Sequence, residues 1–234
     1  MRRLLSAGIA GALLGAPGCP ADPTEPPPPL LLVVSIDTLR ADRLGFYGQP
    51  RPVSPHLDAL AAESVVFDAA QTTAPWTLPA HASLLSGRYP SRHALTAHGR
   101  ALREEIPTLA SILRTEGWQT ASVVNSRHLS ERNGLQRGFE KRFLIRDSAP
   151  QVGATRELVD QALEWIEEER ERPLFLFLHT FDAHSDYRST RPHRGRFEEP
   201  YQGHAAGYTK QLLAHRQGAF SLDAEGRQHL LDLY

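Results

Sequence analysis

Two uninterrupted apolar runs constrain this chain more than any other feature: Leu30 to Ile36 (LLLVVSI) and Leu174 to Leu178 (LFLFL). A run that is apolar and partly β-branched, with no polar residue at alternate positions, marks a strand covered on both faces. Such strands belong to parallel sheets packed between helices. The first run ends at Asp37, and the last runs into His179, Asp182 and His184. Helical patterns lie between them. Ser54-Pro55 opens a helix from His56 to Ser64 with Leu57, Leu60 and Ala61 on one face. Val65-Val66-Phe67 reads as a short strand, and Leu78 to Ser86 as a helix closed by Gly87. Ile106 to Glu116 carries apolar positions at Ile106, Leu109, Ile112 and Leu113, stops at Gly117, and leads to a strand from Thr120 to Val124. Ala154 to Arg172 is a long amphipathic helix through Leu158, Val159, Ala162, Leu163 and Ile166. The alternation predicts an α/β fold, a mostly parallel sheet flanked by helices. Ligands in such folds sit beyond the carboxyl ends of the strands, which singles out Asp37 and the segment from His179 to His184.

Composition narrows the partners. The chain has 234 residues, 26 basic against 27 acidic, with a formal net charge of -1, so no global basic field attracts nucleic acid. A single cysteine excludes a disulfide framework and a cysteine-rich zinc site. That residue, Cys19, follows Arg2-Arg3, an apolar stretch from Leu4 to Leu14, and the small residues Gly15-Ala16-Pro17-Gly18. Residues 1–18 therefore read as an export signal. With the cysteine so placed, the signal resembles that of a bacterial lipoprotein, which would lipidate Cys19; ordinary export and an uncleaved anchor are the other readings. The expected location is the cell envelope, and the only membrane attachment would be through Cys19. Residues 19–29 form a linker with six of the 18 prolines. Polyproline geometry would let it span roughly 30 Å. The folded part is then 30–234.

The most informative stretch is Ala74-Pro75-Trp76-Thr77-Leu78-Pro79-Ala80-His81. Thr77 suits a helix N-cap and Pro79 a first turn. A helix starting here aims unpaired N–H groups at whatever lies beside Thr77. Taken alone, the segment leaves two roles open: a threonine that only caps, or one that faces an anionic ligand.

The wider pattern resembles the N-terminal part of the sulfatase family, within the alkaline phosphatase superfamily. The motifs are Asp37 with LRADRLGFYG, SPHLDALAAESVVFDAA, Thr77-Leu78-Pro79, SLLSGRYPSRH, IPTLASILRTEGWQTASVV, GLQRGFE and FLFLHTFDAH. They run from about Leu30 to the end of the chain, and their combination is far more specific than any one alone. The resemblance implies a divalent cation on Asp37 and Thr77, with Thr77 as nucleophile. It also implies catalytic contact by His184 with the ester, and substrate binding at His81 and at His128 in SRHL. The implied substrate is a small-molecule, glycan or lipid ester of sulfate or phosphate. The implied cofactor is one or two divalent cations, calcium if the chain is sulfatase-like and zinc or manganese if it handles phosphate.

Several positions depart from the family pattern. Formylglycine-dependent sulfatases begin from Cys or Ser followed by x-Pro-x-Arg, whereas this chain has Thr77, Pro79 and His81. The paired aspartates after the first strand are Asp37-Thr38 here, and Asn125 and Ser126 lie where a lysine is expected before His128. A threonine nucleophile resembles the phosphate-handling relatives, including phosphoethanolamine transferases. The family's later Asp-His or Asp-Asn metal pair does not follow Leu222 to Tyr234. The expectation is therefore a fold incomplete at its C-terminus, inactive as this chain. Three functions follow: a metal-dependent ester hydrolase, a lipid-anchored group transferase, and a noncatalytic binding lipoprotein. Asp182 is expected to orient His184, Trp76 to pack, and residues 184–207 to form a loop over the site. His179 suits structural hydrogen bonding at least as well as metal contact. His56, His93, His98, His193, His204, His215 and His229 read as surface or loop residues.

Overall fold

The computed structural model describes residues 28–145, 153–168, 170–184, 186–187 and 193–234. The signal and most of the linker, residues 1–27, lie outside the described residues. Four strands form one parallel sheet: β1 (Leu30–Ile36), β2 (Gln119–Val124), β3 (Lys141–Leu144) and β4 (Leu174–Thr180). Their spatial order is β1-β4-β2-β3, so the last strand returns to the interior of the sheet. Every side chain of β4 is buried, as expected of the LFLFL run. Its alternation splits the core in two. Phe175 and Phe177 pack with Leu78, Ala82 and Leu85 on one face, while Leu174, Leu176 and Leu178 pack with Leu158 and Ala162 on the other.

Helices α1 (Pro55–Ala62), α2 (Thr77–Ser86), α3 (Pro90–His93) and α4 (Leu109–Thr115) precede β2. Helix α5 (Thr155–Glu167) precedes β4, and α6 (Thr209–Arg216) and α7 (Ala224–Leu233) follow it. Helix α4 starts in a reciprocal capping box: the Thr108 hydroxyl accepts from Ser111 N–H, and the Ser111 hydroxyl accepts from Thr108 N–H. Ile106 therefore lies outside the helix. The α4 turn is crossed by Gly138 (φ +93°), where a Cβ would stand 2.2 Å from the Ser111 nitrogen. No helix among the described residues is long and apolar enough to cross a membrane.

Three expectations are corrected. Among the described residues β1 is an edge strand and is not covered on both faces, with Leu30, Leu31, Leu32 and Val34 exposed. Its apolar run reports a sheet without revealing which edge has neighbours. Val65-Val66-Phe67 forms no strand, because no strand among the described residues pairs there, and Val65 and Phe67 are exposed. Helix α1 buries none of its residues, Leu57 and Leu60 included. It is held instead by polar contacts: the Asp58 carboxylate accepts from the Ser54 hydroxyl and from Phe46 N–H. Strand β3 was missed because KRFL shows neither an apolar run nor clean alternation.

Candidate active site and metal centre

The site lies where the carboxyl ends of β1 and β4 meet the start of α2. Asp37 continues the ladder one residue past β1, its N–H donating to Thr180 O at 2.9 Å. The next residue, Thr38, turns the chain through a left-handed conformation (φ +57°). Tyr234 clamps that turn: its hydroxyl accepts from Arg40 N–H at 2.8 Å and donates to Thr38 O at 2.7 Å.

Thr77 opens α2, and its hydroxyl donates to Asp37 Oδ2 at 2.9 Å. This corrects its expected capping role. The cap position is the extended Trp76, and Thr77 already has helical geometry, so its hydroxyl is turned to the carboxylate rather than to the helix. At the other end, Gly87 closes α2 in a left-handed conformation, as expected.

His81 lies one turn beyond Thr77. Its Nδ1 bonds Thr77 O at 2.8 Å and its Nε2 bonds the Ser35 hydroxyl at 2.8 Å. A carbonyl can only accept, so Nδ1 carries the proton, and in the neutral ring Nε2 accepts from the Ser35 hydroxyl. Burial, reinforced by the nearby His179, pushes the His81 pKa down to about 4. His179, fully buried on β4, bonds Asp37 Oδ2 through Nε2 at 3.2 Å, and the His81 and His179 rings stand 4.9 Å apart. Burial alone would raise the Asp37 pKa. The hydrogen bonds from His179 and Thr77, with the two imidazoles nearby, outweigh it and hold the carboxyl below its ordinary value.

Asp37, His81 and His179 each offer a ligand atom, all within 4.8 Å of one another. His179 Nδ1 is buried with no hydrogen-bond partner among the described residues, so this cluster is not internally satisfied. Two imidazoles with one carboxylate form an N/O donor set. That set fits zinc or another transition-series dication better than calcium, which takes oxygen ligands. A metal on His81 Nε2 would displace the Ser35 hydroxyl.

The structure thus brings Asp37, Thr77 and His81 together. His81, expected against substrate, sits in the metal-capable cluster. His184 stands on the loop after β4, stacked on Phe181 at 4.1 Å, and the Thr38 hydroxyl donates to Ala183 O at 3.1 Å, tying that loop to the Asp37 turn. The Asp182 carboxylate is engaged at the start of α5, accepting from Gly153 and Thr155 N–H. His128 packs edge-on against Trp76 at 5.8 Å. His93 is not a surface residue: it is buried, with Nε2 bonded to the Ser83 hydroxyl and Nδ1 accepting from Leu95 N–H. Two residues escaped the sequence reading. Ser35 pairs with His179 in register and shares a face with Asp37 two residues on, so strand alternation could have found it. Asn125, just past β2, is fully buried with both amide atoms unpartnered among the described residues, and only its place at a strand end hints at a role.

Comparison with known proteins agrees with this geometry. The family model described as Sulfatase matches residues 29–221. Steryl-sulfatase of Mus musculus is 33% identical over 176 residues, covering 64% of this chain and 28% of that protein. Ulvan-active sulfatase of Formosa agariphila is 38% identical over 97 residues, covering 42% of this chain and 19% of that protein. The chain thus spans less than a third of the length of these relatives. Among solved structures, phosphonate monoester hydrolase of Silicibacter pomeroyi superposes with a TM-score of 0.66 at 19% identity, covering 88% of this chain and 55% of that one. The C-terminal periplasmic domain of EcEptC from Escherichia coli, in complex with Zn, superposes with a TM-score of 0.63 at 17% identity, covering 91% of this chain and 57% of that one.

Proposed function

Because this chain belongs to the sulfatase family, we propose that it carries the nucleophile-bearing portion of a metal-dependent hydrolase acting on a sulfuric or phosphoric ester. The hydrogen bond from Thr77 to Asp37 is the observation that carries this reading. The family is divalent-metal dependent. A cation held by Asp37 with His81 and His179 would supply positive charge for the transferring group and lower the pKa of a coordinated hydroxyl.

The chain's own residues support a double displacement. Thr77 Oγ attacks sulfur or phosphorus in line and forms an ester on the threonine, while the bond to the leaving oxygen breaks. Asp37 accepts the hydrogen bond of the attacking hydroxyl, orients it and takes its proton as the ester forms. His184, on the loop tied to the Asp37 turn, gives a proton to the leaving oxygen. Water then attacks the same centre and gives a proton to His184, while the departing Thr77 oxygen regains its proton from Asp37 and sulfate or phosphate is released. A threonine ester has no second hydroxyl on its carbon and cannot collapse by elimination, so this water attack is required. The first-turn N–H groups of α2, apart from Pro79 which has none, face developing negative charge.

The two imidazoles in the cluster favour phosphate over sulfate, and with it a second reading as a lipid-anchored group transferase of phosphoethanolamine type. Delivery to the envelope would rest on the signal at 1–18 and on lipidation of Cys19. The test is the full-length gene product assayed on 4-nitrophenyl sulfate, a phosphate monoester and a phosphodiester. Thr77→Ala should lower turnover about 10³-fold or more. Undiminished activity of that variant on all three would remove Thr77 from its role. Transfer to an added alcohol in preference to water would select the transferase.

A further inference from the structure

His81 is held at both ring nitrogens. Its Nδ1–H donates to Thr77 O, one helical turn back, and its Nε2 accepts from the Ser35 hydroxyl, each at 2.8 Å. An imidazole that gives its N–H to a backbone carbonyl is oriented to ligate through its other nitrogen. For His81 that nitrogen is Nε2, the one Ser35 covers. The other polar contacts of the cluster are of a different kind. The bond between His179 and Asp37 joins two members of the donor set, and Thr77 donates to Asp37 as the attacking group. Only the Ser35 contact, among the described residues, ties up a ligand nitrogen with a side chain that has no part in the proposed chemistry.

Ser35 is placed to let go. It is half-buried, and its hydroxyl turns about a single side-chain torsion with three staggered wells. With His81 it lines a cavity of about 440 Å³ whose wall also carries Gln71, Thr72 and Thr73. A polar space of that size admits water, so a hydroxyl that turns from His81 exchanges its bond for hydration instead of losing it. The ligands proteins offer to zinc are thiolate, imidazole and carboxylate, so a neutral hydroxyl yields its place to the ion instead of joining the set.

We propose that the Ser35 hydroxyl is a latch on the metal-capable cluster: it occupies the lone pair through which His81 would bind a cation, and turns away when the cation arrives. Ser35 is thus a positioning residue that sets cation affinity without touching the bound ion. The proposal rests on the reading of Asp37, His81 and His179 as the cation site, and its test is independent of chemistry at Thr77. Without the hydroxyl, the empty site has no hydrogen bond to surrender and binds more tightly. A residue that merely supported the site would act in the opposite direction.

The experiment is zinc titration of the chain, first stripped with chelator, in competition with a chromogenic zinc indicator. Ser35→Ala should bind zinc about fivefold more tightly than wild type, the equivalent of about 1 kcal/mol or one net hydrogen bond. Ser35→Thr keeps the hydroxyl and should match wild type. In a His81→Gln background, Ser35→Ala should have no effect on zinc affinity. Thr77→Ala leaves the carbonyl at that position in place and should preserve the fivefold difference. If Ser35→Ala does not fold, the wild type decides alone: nitrogen-15 spectra should show the His81 Nε2 resonance moving on zinc addition while Nδ1 stays protonated, and an unmoved Nε2 would overturn the latch. Equal or weaker zinc binding by Ser35→Ala, or equal tightening without His81, would overturn it as well. Absence of zinc binding by wild type would overturn the cation site and the latch together. Ester turnover of the full-length product that survives Thr77→Ala, beside an intact Ser35 effect, would overturn the nucleophile alone.

Discussion

Acid should destabilise this protein through its buried histidines, His81 foremost, well before carboxylates protonate. His81 is buried and neutral, with its pKa pushed from 6.5 to about 4. The unfolded chain therefore binds a proton that the folded chain refuses over that interval. Stability is complete above pH 6.5, falls as the pH drops toward 4, and levels off below. At about 1.36 kcal/mol per unit, the shift corresponds to about 3 kcal/mol in all, of which about 2 kcal/mol is lost by pH 5. The depressed Asp37 acts lower still: its contribution is present above the ordinary carboxyl pKa of 3.8 and disappears only as the pH falls through its lowered value. Buried His93, its pKa also lowered by burial, adds in the same direction over the pH 7.5 to 5 window, so the His81 share is read as the difference from a His81 variant. Urea unfolding followed by tryptophan fluorescence, with chelator present, measures it. His81→Gln removes the titration, so its stability should change with pH by about 2 kcal/mol less than wild type. A wild-type-minus-variant difference that stays constant across the window would refute the assignment of a buried neutral imidazole.

Zinc at one hundred times its dissociation constant should stabilise the chain by about 2.7 kcal/mol. Chelator should reverse this, and His179→Ala should abolish it; an equal zinc-induced rise in melting temperature of that variant would exclude His179 as a ligand. Thr108→Ala removes the capping box of α4 and a 2.6 Å bond from its hydroxyl to Arg137 O. The expected loss is about 1–2 kcal/mol by urea titration. Gly138→Ala combines a strained φ with a clash against the Ser111 backbone. It should destabilise by several times the roughly 1 kcal/mol typical of a point substitution, and soluble protein of wild-type melting temperature would contradict the close approach.

The legible parts of this molecule were those whose burial is complete. The LFLFL run could only be an interior strand, and the polar residues that follow the two apolar runs marked the correct end of the sheet. Thr77 and Asp37 were singled out together and stand 2.9 Å apart. What failed depended on neighbours that no local pattern encodes. Leu30 to Val34 read the same whether or not another strand lies alongside, and Leu57 and Leu60 look like a core face until the facing surface proves to be absent among the described residues. Charge hid β3. His81 and His179 could not be assigned from spacing, because the contact between them joins positions on a helix and a strand far apart in the chain. They are brought together by the parallel register that places Ser35, which bonds His81, beside His179.

The phenol at position 234 gives the carboxylate turn a remote anchor. It bonds Thr38 O and Arg40 N–H, 196 and 194 residues away in sequence, and Thr38 itself is in a conformation that non-glycine residues rarely adopt. The left-handed conformation of Thr38 carries about 1 kcal/mol of torsional strain, and the Tyr234 contacts hold the turn against it. Tyr234→Phe would remove both hydrogen bonds to the Asp37 turn, and residue 234 belongs to neither core cluster.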